Sequence, residues 1–165
     1  VVPSHQMVDA YTAAMRILNY RFNSEAELRR KLRSKKYEPA AIDKAIERLR
    51  REKWLDDERF AGAFVRTRAN KRVGRGRILR ELQAAGVDDA KAAQAVAENI
   101  DEERERVSLE ELCAKRARVL VRRHGAEFLN TSEGRNKLTV YLLNQGYDAG
   151  QISDAVRNLK LKIEN

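Results

Sequence analysis

The chain has 165 residues and a formal net charge of +9, with 42% hydrophobic and 36% charged residues. This length allows a sizeable core, while the positive charge favours a polyanion or an acidic protein surface as the partner. The sequence has neither an apolar run long enough to cross a membrane nor a secretory signal-peptide pattern, so a membrane-spanning or secreted protein is not expected.

A local pattern that recurs three times predicts an all-helical repeat protein. Its copies align without a gap over residues 28–46, 78–96 and 138–156. Each copy has two apolar residues four positions apart, then a glycine-aromatic break or a variant of it, then an acidic residue that can begin another helix. Repeats of this kind stack and bury their apolar faces against one another. We therefore expect an all-α fold of three tandem three-helix, helix–turn–helix-like repeats in an elongated array.

The predicted division of the chain is a disordered N-terminal end or cloning remnant, residues 1–7, and three repeats, residues 8–54, 55–104 and 105–165. In the first repeat, Ser24 and Glu27 have the spacing of a capping box at the start of the second helix. Pro39 suits the first position of the third helix, because its missing N–H costs nothing there.

In the second repeat, Asp56 is a predicted helix N-cap, and its neighbours Leu55 and Phe60 have the spacing of a hydrophobic staple. Gly74 and Gly76 are predicted to form a flexible connector between the first two helices of this repeat. The arginines around this connector are therefore expected to contribute little to any core.

The third repeat is expected to follow an acidic segment, residues 100–111, which is predicted to be a solvated helix end or a hinge. Residues 126–131 form the longest predicted irregular stretch. Asp148 and Gln151 have the spacing of another capping box. Aromatic residues at the predicted turns are expected to pack against helices rather than stack on bases, and they are Tyr37, Trp54 and Tyr147.

Basic side chains occur in one run per repeat, and a single run is most simply explained as a solvated helix face. Three runs in equivalent repeats favour a shared basic stripe that binds DNA or an acidic protein. The middle run is the strongest candidate, because arginine can bind phosphate or carboxylate groups bidentately. The candidate binding residues are Arg29, Arg30, Arg33, Arg66, Arg68, Lys71, Arg72, Arg75, Arg77, Arg80, Arg116, Arg122 and Arg123.

The sequence offers no set of catalytic residues, metal ligands or cofactor-binding residues. No cluster of Cys, His or Asp residues has metal-ligand spacing, and the segment Gly74–Arg77 lacks the rest of a Walker loop or a dinucleotide-binding fingerprint. Asp56 and Asp57 have no matching base and are explained by helix capping. Cys113, the single cysteine, lies on a predicted apolar helix face, and a chain without an internal disulfide suits a reducing cytosol. We therefore expect a non-enzymatic protein without a cofactor or metal.

Three segments of the chain resemble signatures of the RecX family, whose members are bacterial regulators of the RecA recombinase. They are RFNSEAEL at residues 21–28 followed by Lys31 and Leu32, WLDDERFA at residues 54–61, and Gly74-x3-Ile78-x2-Glu81-Leu82-x3-Gly86-Val87. The resemblance spans nearly the whole chain and is weaker in the third repeat. Lys36 departs from the family pattern, in which glycine usually precedes the aromatic residue, and is expected to weaken the left-handed turn at this position.

The resemblance implies a curved stack of three three-helix repeats that lodges in the groove of a RecA–single-stranded-DNA filament. It further implies inhibition of the recombinase, ATPase and co-protease activities of RecA, and hence modulation of recombinational DNA repair and the SOS response. The implied partners are the RecA filament and single-stranded DNA, with double-stranded DNA as a further candidate and no membrane. The chain is expected to be a cytoplasmic monomer without catalytic residues.

One alternative is a helix–turn–helix transcriptional regulator that reads double-stranded DNA. Such a protein needs a recognition helix with Asn, Gln or Arg at adjacent exposed positions, and it usually acts as a dimer. The second and third helices of the three repeats differ too much in their exposed residues to provide one clear reading helix. The RecA-binding interpretation is therefore preferred, and an enzyme ranks third.

Overall fold

The computed structural model describes residues 8–163, with side chains from residue 8 to residue 159. This part of the chain forms nine α-helices and a 3₁₀ helix at Ala126–Asn130, without a β-strand. The α-helices are α1 (Ala10–Tyr20), α2 (Glu25–Ser34), α3 (Pro39–Arg51), α4 (Asp57–Asn70), α5 (Arg75–Ala84), α6 (Asp89–Asn99), α7 (Glu102–His124), α8 (Ser132–Asn144) and α9 (Ala149–Ile163). The predicted disordered end, residues 1–7, lies outside the described residues. Within residues 8–163, the combination of length and apolarity that a membrane-spanning helix requires is not found.

Three consecutive sets of three helices each enclose a separate hydrophobic core. Unit 1 consists of α1–α3, unit 2 of α4–α6, and unit 3 of α7–α9 with the 3₁₀ helix, and the helices of each unit pack mainly on one another. The equivalent residues Leu32, Leu82 and Leu142 belong to the three cores and are fully buried. The predicted all-α fold of tandem three-helix repeats is therefore confirmed, while the residue boundaries between repeats stay a prediction.

Most of the helices begin at a side chain that accepts a backbone hydrogen bond, among them α1, α2, α4, α6, α7 and α8. The Ser24 hydroxyl accepts the Glu27 N–H at 3.1 Å, and the Glu27 carboxylate accepts the Ser24 N–H at 3.4 Å, which confirms the capping box. Asp56 caps α4 through its carboxylate, as predicted. Leu55 and Phe60, whose spacing predicts a staple, contribute to different cores, Leu55 to that of unit 1 and Phe60 to that of unit 2.

The second and third helices of every unit are joined by the same left-handed turn. Gly86 and Gly146 have φ angles of 78° and 95°, and Lys36 has a φ of 65° at the equivalent position. In all three turns, the next residue donates its N–H to the carbonyl of the buried leucine near the end of the second helix. Lys36 therefore keeps the conformation that glycine provides elsewhere, although its Cβ carries a steric cost in this region.

Two of the sequence-based expectations are wrong, and one alternative of a third is excluded. The acidic segment, residues 100–111, contains the largely exposed start of α7 at Glu102, in agreement with a solvated helix end. It is not a hinge, because α7 continues without a break to His124, and Glu105 within it is buried. The stretch predicted to be irregular contains the 3₁₀ helix instead. Trp54, expected to pack, is 51% exposed, whereas Tyr147 is buried as expected. Burial of Glu105 and exposure of Trp54 both occur where units meet.

Two neighbouring leucines of α8 test the assignment of the core. Leu142 is fully buried, whereas Leu143 is 41% exposed. We expect Leu142→Ala to lower the free energy of unfolding by about 2–5 kcal/mol, the usual range for a buried leucine. Leu143→Ala should change it by less than about 0.5 kcal/mol. Urea denaturation followed by circular dichroism measures both variants, and equal effects would contradict the core derived from the repeat.

Candidate functional site

Unit 1 is joined to unit 2 by the start of α2, which lies on the turn that follows α5; we call this contact joint 1. The Ser24 hydroxyl donates a hydrogen bond to the Ala85 carbonyl at 2.5 Å, so one side chain both caps α2 and holds the next unit. The Glu25 N–H, at the first position of α2, donates to the Asp57 carboxylate of α4 at 2.8 Å. Asp57 is partly buried, and its burial raises the pKa of its carboxyl above the ordinary value.

Unit 2 is joined to unit 3 in the same way, by the start of α5 on the turn that follows α8; we call this contact joint 2. The Gly74 N–H donates to the Gln145 carbonyl at 2.8 Å, and a second backbone bond links Gly76 to the same turn. The Arg75 N–H donates to the Glu105 carboxylate of α7 at 3.0 Å, and the Arg75 guanidinium pairs with that carboxylate at 2.7 Å. Glu105 is only 5% exposed, so these two hydrogen-bond partners take the place of the water that would bind an exposed carboxylate.

The two joints use the same positions of the repeat. The aligned pairs are Ser24 with Gly74, Glu25 with Arg75, and Ala85 with Gln145. At both joints, a carboxylate from the first helix of the following unit accepts the N–H at the first position of the second helix. Sequence reasoning missed this contact, because capping already accounted for Asp57 and the segment around Glu105 was expected to be solvated.

Glycine is required where the two backbones of joint 2 meet. A Cβ on Gly74 would lie 2.6 Å from the carbonyl carbon of Gly146, and a Cβ on Gly146 would lie 2.3 Å from the backbone nitrogen of Arg77. No side chain fits at either distance without a shift of the backbone. The expectation that Gly74 and Gly76 form a flexible connector is therefore wrong, since Gly74 caps α5 against unit 3 and Gly76 lies within α5.

Two arginines of the predicted middle run connect unit 2 to α7. Arg72 pairs with Glu111 at 2.6 Å, and Arg75 pairs with the buried Glu105. The expectation that arginines around Gly74 contribute little to the core is wrong for Arg75, which supplies the countercharge of a buried carboxylate. Replacing Arg75 with glutamate would set two carboxylates against each other at joint 2 and would disturb the array itself.

Several other predicted binding residues have partners within their own unit. Glu81 of α5 pairs with Arg68 at 2.7 Å and with Arg77 at 2.9 Å. The remaining engaged residues are Arg29, which pairs with Glu25 and Asp43, Arg66, which donates to Asn99, and Arg116, which lies over the Tyr141 ring. These contacts orient the guanidinium groups along the helices, so the charge runs are partly structural.

The predicted candidates that have no ion pair or side-chain hydrogen bond with the described residues are Arg30, Arg33, Lys71, Arg80, Arg122 and Arg123, all of them exposed. Arg30 of α2 and Arg80 of α5 occupy equivalent positions of the aligned repeats. The equivalent position in α8 is Val140, which is also exposed. Only these six of the predicted binding residues are therefore available to a partner, and Arg30 and Arg80 are the pair among them at equivalent positions of units 1 and 2.

The described residues show features of an interface rather than of a reaction centre. Among them, no group of three or more His, Cys, Asp or Glu side chains is placed to hold a metal ion. Cys113 is buried, as predicted, and burial raises the pKa of its thiol to about 11. A groove of about 720 Å³ lies between α7, the 3₁₀ helix, α8 and α9, and its polar lining residues are Arg118, Arg122, Glu127, Asn130 and Arg135. This set contains no nucleophile with an adjacent base.

Two segments of the chain match family models of three-helix domains. Residues 10–49 match the model described as RecX, first three-helix domain, and residues 56–96 match the model described as RecX, second three-helix domain. The regulatory protein RecX of Serratia proteamaculans (strain 568) is 30% identical over 175 residues, which cover 92% of this chain and 98% of that protein. The regulatory protein RecX of Pelodictyon phaeoclathratiforme is 31% identical, with coverages of 92% and 89%. The chain spans about half, 53%, of the regulatory protein RecX of Oceanobacillus iheyensis, with 32% identity over 91% of its own length.

The arrangement of the helices is also similar to that of solved structures. The crystal structure of RecX from Lactobacillus salivarius superposes with a TM-score of 0.75 and 26% sequence identity, and the match covers 92% of this chain and 95% of that chain. A second crystal structure, of a regulatory protein RecX, gives a TM-score of 0.75 at 23% identity, which supports the fold alone. The tandem arrangement of the units is thus shared with both structures.

Two acidic residues of α7 test the importance of joint 2. Glu105→Ala should lower the free energy of unfolding by about 1–3 kcal/mol, because the Arg75 N–H and guanidinium lose their partner. Glu111→Ala removes only the exposed pair with Arg72 and should cost less than about 1 kcal/mol. Urea denaturation of both variants makes the comparison, and a Glu105→Ala variant as stable as Glu111→Ala would contradict the role of the buried carboxylate.

Proposed function

This chain belongs to the RecX family of regulatory proteins, and on this basis we propose that it regulates a RecA recombinase by binding the filament that RecA forms on single-stranded DNA. Binding inhibits the recombinase, ATPase and co-protease activities of the filament, and thereby modulates recombinational repair and the SOS response. The protein acts as a cytoplasmic monomer and performs no chemistry of its own. Its effect is steric and electrostatic, because it bridges neighbouring protomers and interferes with filament growth or conformational cycling.

The structural observation that best supports this proposal is a pair of arginines at equivalent positions of two units that are joined by hydrogen bonds. Arg30 and Arg80 occupy the same position of successive repeats and have no partner among the described residues. At joints 1 and 2, a backbone N–H of one unit donates a hydrogen bond to a carboxylate of the next, which favours a constant relation between adjacent units. A filament of identical protomers presents the same acidic or phosphate groups at regular intervals. A repeat protein with cations in register can therefore contact successive protomers in equivalent ways.

The same geometry disfavours the alternative of a transcriptional regulator that reads double-stranded DNA. In a helix–turn–helix protein, the N-terminal residues of the recognition helix reach the base edges in the major groove. Here the starts of α2 and α5 lie against the next unit through Ser24 and Gly74. This removes α2 and α5 as reading helices, and the third helices differ in their exposed residues, so we retain the filament-binding proposal.

Charge reversal of the free arginines tests the proposal. Arg30→Glu combined with Arg80→Glu should weaken binding to RecA filaments about tenfold or more, since a loss of about 1.4 kcal/mol corresponds to tenfold. Inhibition of RecA strand exchange and ATPase activity should fall in parallel. If phosphates are contacted, the log–log salt dependence of binding by the native chain should have a slope of roughly 0.7 per phosphate on single strands.

A matched control has the same change in net charge on another helix of unit 1. Lys44 of α3 and Arg51 at the end of α3 are exposed and have no ion-pair partner among the described residues. Lys44→Glu combined with Arg51→Glu should leave inhibition nearly unchanged. If both double variants lose inhibition equally, net charge alone drives binding. If neither loses it, the filament contacts another surface.

A second prediction concerns turnover. Because the described residues provide no metal cluster, and the groove beside α7 has no nucleophile with an adjacent base, the purified protein alone should hydrolyse neither ATP nor DNA. The measurement is phosphate release and DNA cleavage across successive purification columns. An activity that follows the protein through every column and disappears on a point substitution would contradict the non-enzymatic proposal.

A further inference from the structure

Two large aromatic side chains project into solvent where unit 1 meets unit 2. Phe22 is 57% exposed and Trp54 is 51% exposed, whereas their chain neighbours Asn23 and Leu55 are buried. Lys53 lies two residues after the end of α3 and has a φ of 60°, which turns the chain so that Leu55 enters the core of unit 1 and Trp54 points outward. The exposure of the Phe22 and Trp54 rings therefore follows from the burial of the residue next to each of them.

Arg59 of α4 links the two aromatic segments. Its guanidinium lies over the Phe22 ring, 5.6 Å from the ring centre, and donates a hydrogen bond to the Lys53 carbonyl at 3.3 Å. Lys53 directly precedes Trp54, so one arginine holds both aromatic segments on the same side of joint 1. We call Phe22, Lys53, Trp54 and Arg59 the aromatic–basic patch.

Carboxylates next to the aromatic–basic patch are mostly engaged elsewhere. Asp56 caps α4 through backbone N–H groups, and Glu52 accepts hydrogen bonds from two side chains of unit 1. Glu58 and Asp56 are exposed acidic neighbours, but neither forms an ion pair with Lys53 or Arg59. These two cations beside the rings therefore have no ion-pair partner among the described residues and can face a polyanion.

We propose that the aromatic–basic patch stacks on unpaired bases of single-stranded nucleic acid, while Lys53 and Arg59 face its phosphates. Proteins that bind single strands combine cations along the backbone with aromatic rings, because every base has a flat π-face. The inference rests on the proposed function in one respect, since single-stranded DNA is the strand within the proposed filament partner.

A nucleic acid fits these observations better than a protein partner. The chain has a formal net charge of +9, and the cations Lys53 and Arg59 stand beside the rings without an ion-pair partner among the described residues. Phe22 and Trp54 stand on the outer side of two chain turns, each with more than half of its surface open. Rings presented in this way offer stacking faces, and the adjacent cations supply the contacts that a phosphate backbone needs.

Trp54 is the only tryptophan of the chain, so its fluorescence reports on the patch directly. Oligodeoxythymidylate should quench this fluorescence on binding, whereas an abasic oligodeoxyribose phosphate of the same length should quench it little. The abasic strand keeps the phosphates and removes the bases, so the two probes separate stacking from electrostatic attraction. Equal quenching by both probes, or quenching by neither, would overturn the proposal.

Truncation of the rings gives a second measurement, by fluorescence polarisation of a labelled oligodeoxythymidylate. Phe22→Ala and Trp54→Ala should each weaken binding about five- to a hundredfold, the range expected for loss of one stacked base. Val140→Ala and Leu143→Ala are matched controls, because they truncate exposed apolar side chains of α8. These controls should bind normally, and circular dichroism should show the same helical content in all four variants.

The RecA assays distinguish this inference from the proposed function. If Phe22→Ala and Trp54→Ala bind bare DNA normally but no longer inhibit RecA, the patch contacts protein and the inference is wrong. If they lose binding to bare DNA, the inference stands, whether or not inhibition of RecA persists. If the native chain binds DNA through the patch but never inhibits RecA, only the proposed function fails.

Discussion

The rest of the structure depends on one repeated contact, in which the start of a second helix lies on the backbone of the turn in the next unit. At this contact the first free N–H of the helix is satisfied by a carboxylate from the following unit, Asp57 at joint 1 and Glu105 at joint 2. A helix end that would otherwise face water is thus used to connect two cores. Close contacts between helices occur mainly within the units, so these polar contacts contribute strongly to how the units are arranged.

The turn of unit 1 does not meet the steric requirement of these joints. At joint 1, a Cβ on Gly86 would lie 2.3 Å from the Cβ of Ala26, so the turn must be free of a side chain. The equivalent turn of unit 1 carries Lys36, which has the left-handed backbone but also the Cβ that the joint excludes. The turn of unit 1 therefore cannot receive another unit in the manner of joints 1 and 2.

The arginines of the chain have two different roles. Arg75 neutralises a buried carboxylate, and Arg72 and Arg77 pair with Glu111 and Glu81. A charge run in the sequence therefore mixes residues that hold the array together with residues available to a partner. The free cations Arg30 and Arg80 and the exposed aromatic rings beside joint 1 lie outside this structural set, which is why they are the better candidates for binding.

The helical repeat, the capping box at Ser24 and the burial of Leu142 could be predicted from the sequence, because these depend on spacing along one helix. Which charges are buried and which rings are exposed follows instead from the packing of the units and the direction of the turns. Glu105 lies in an acidic run that the sequence predicts to be solvated, and Trp54 is an aromatic residue that it predicts to be packed. Their surroundings come from a neighbouring unit or from the direction of a turn, and neither is encoded in local periodicity. The burial of Glu105 and the exposure of Trp54 depend on contacts between distant segments, so they could not be derived from the repeat pattern alone.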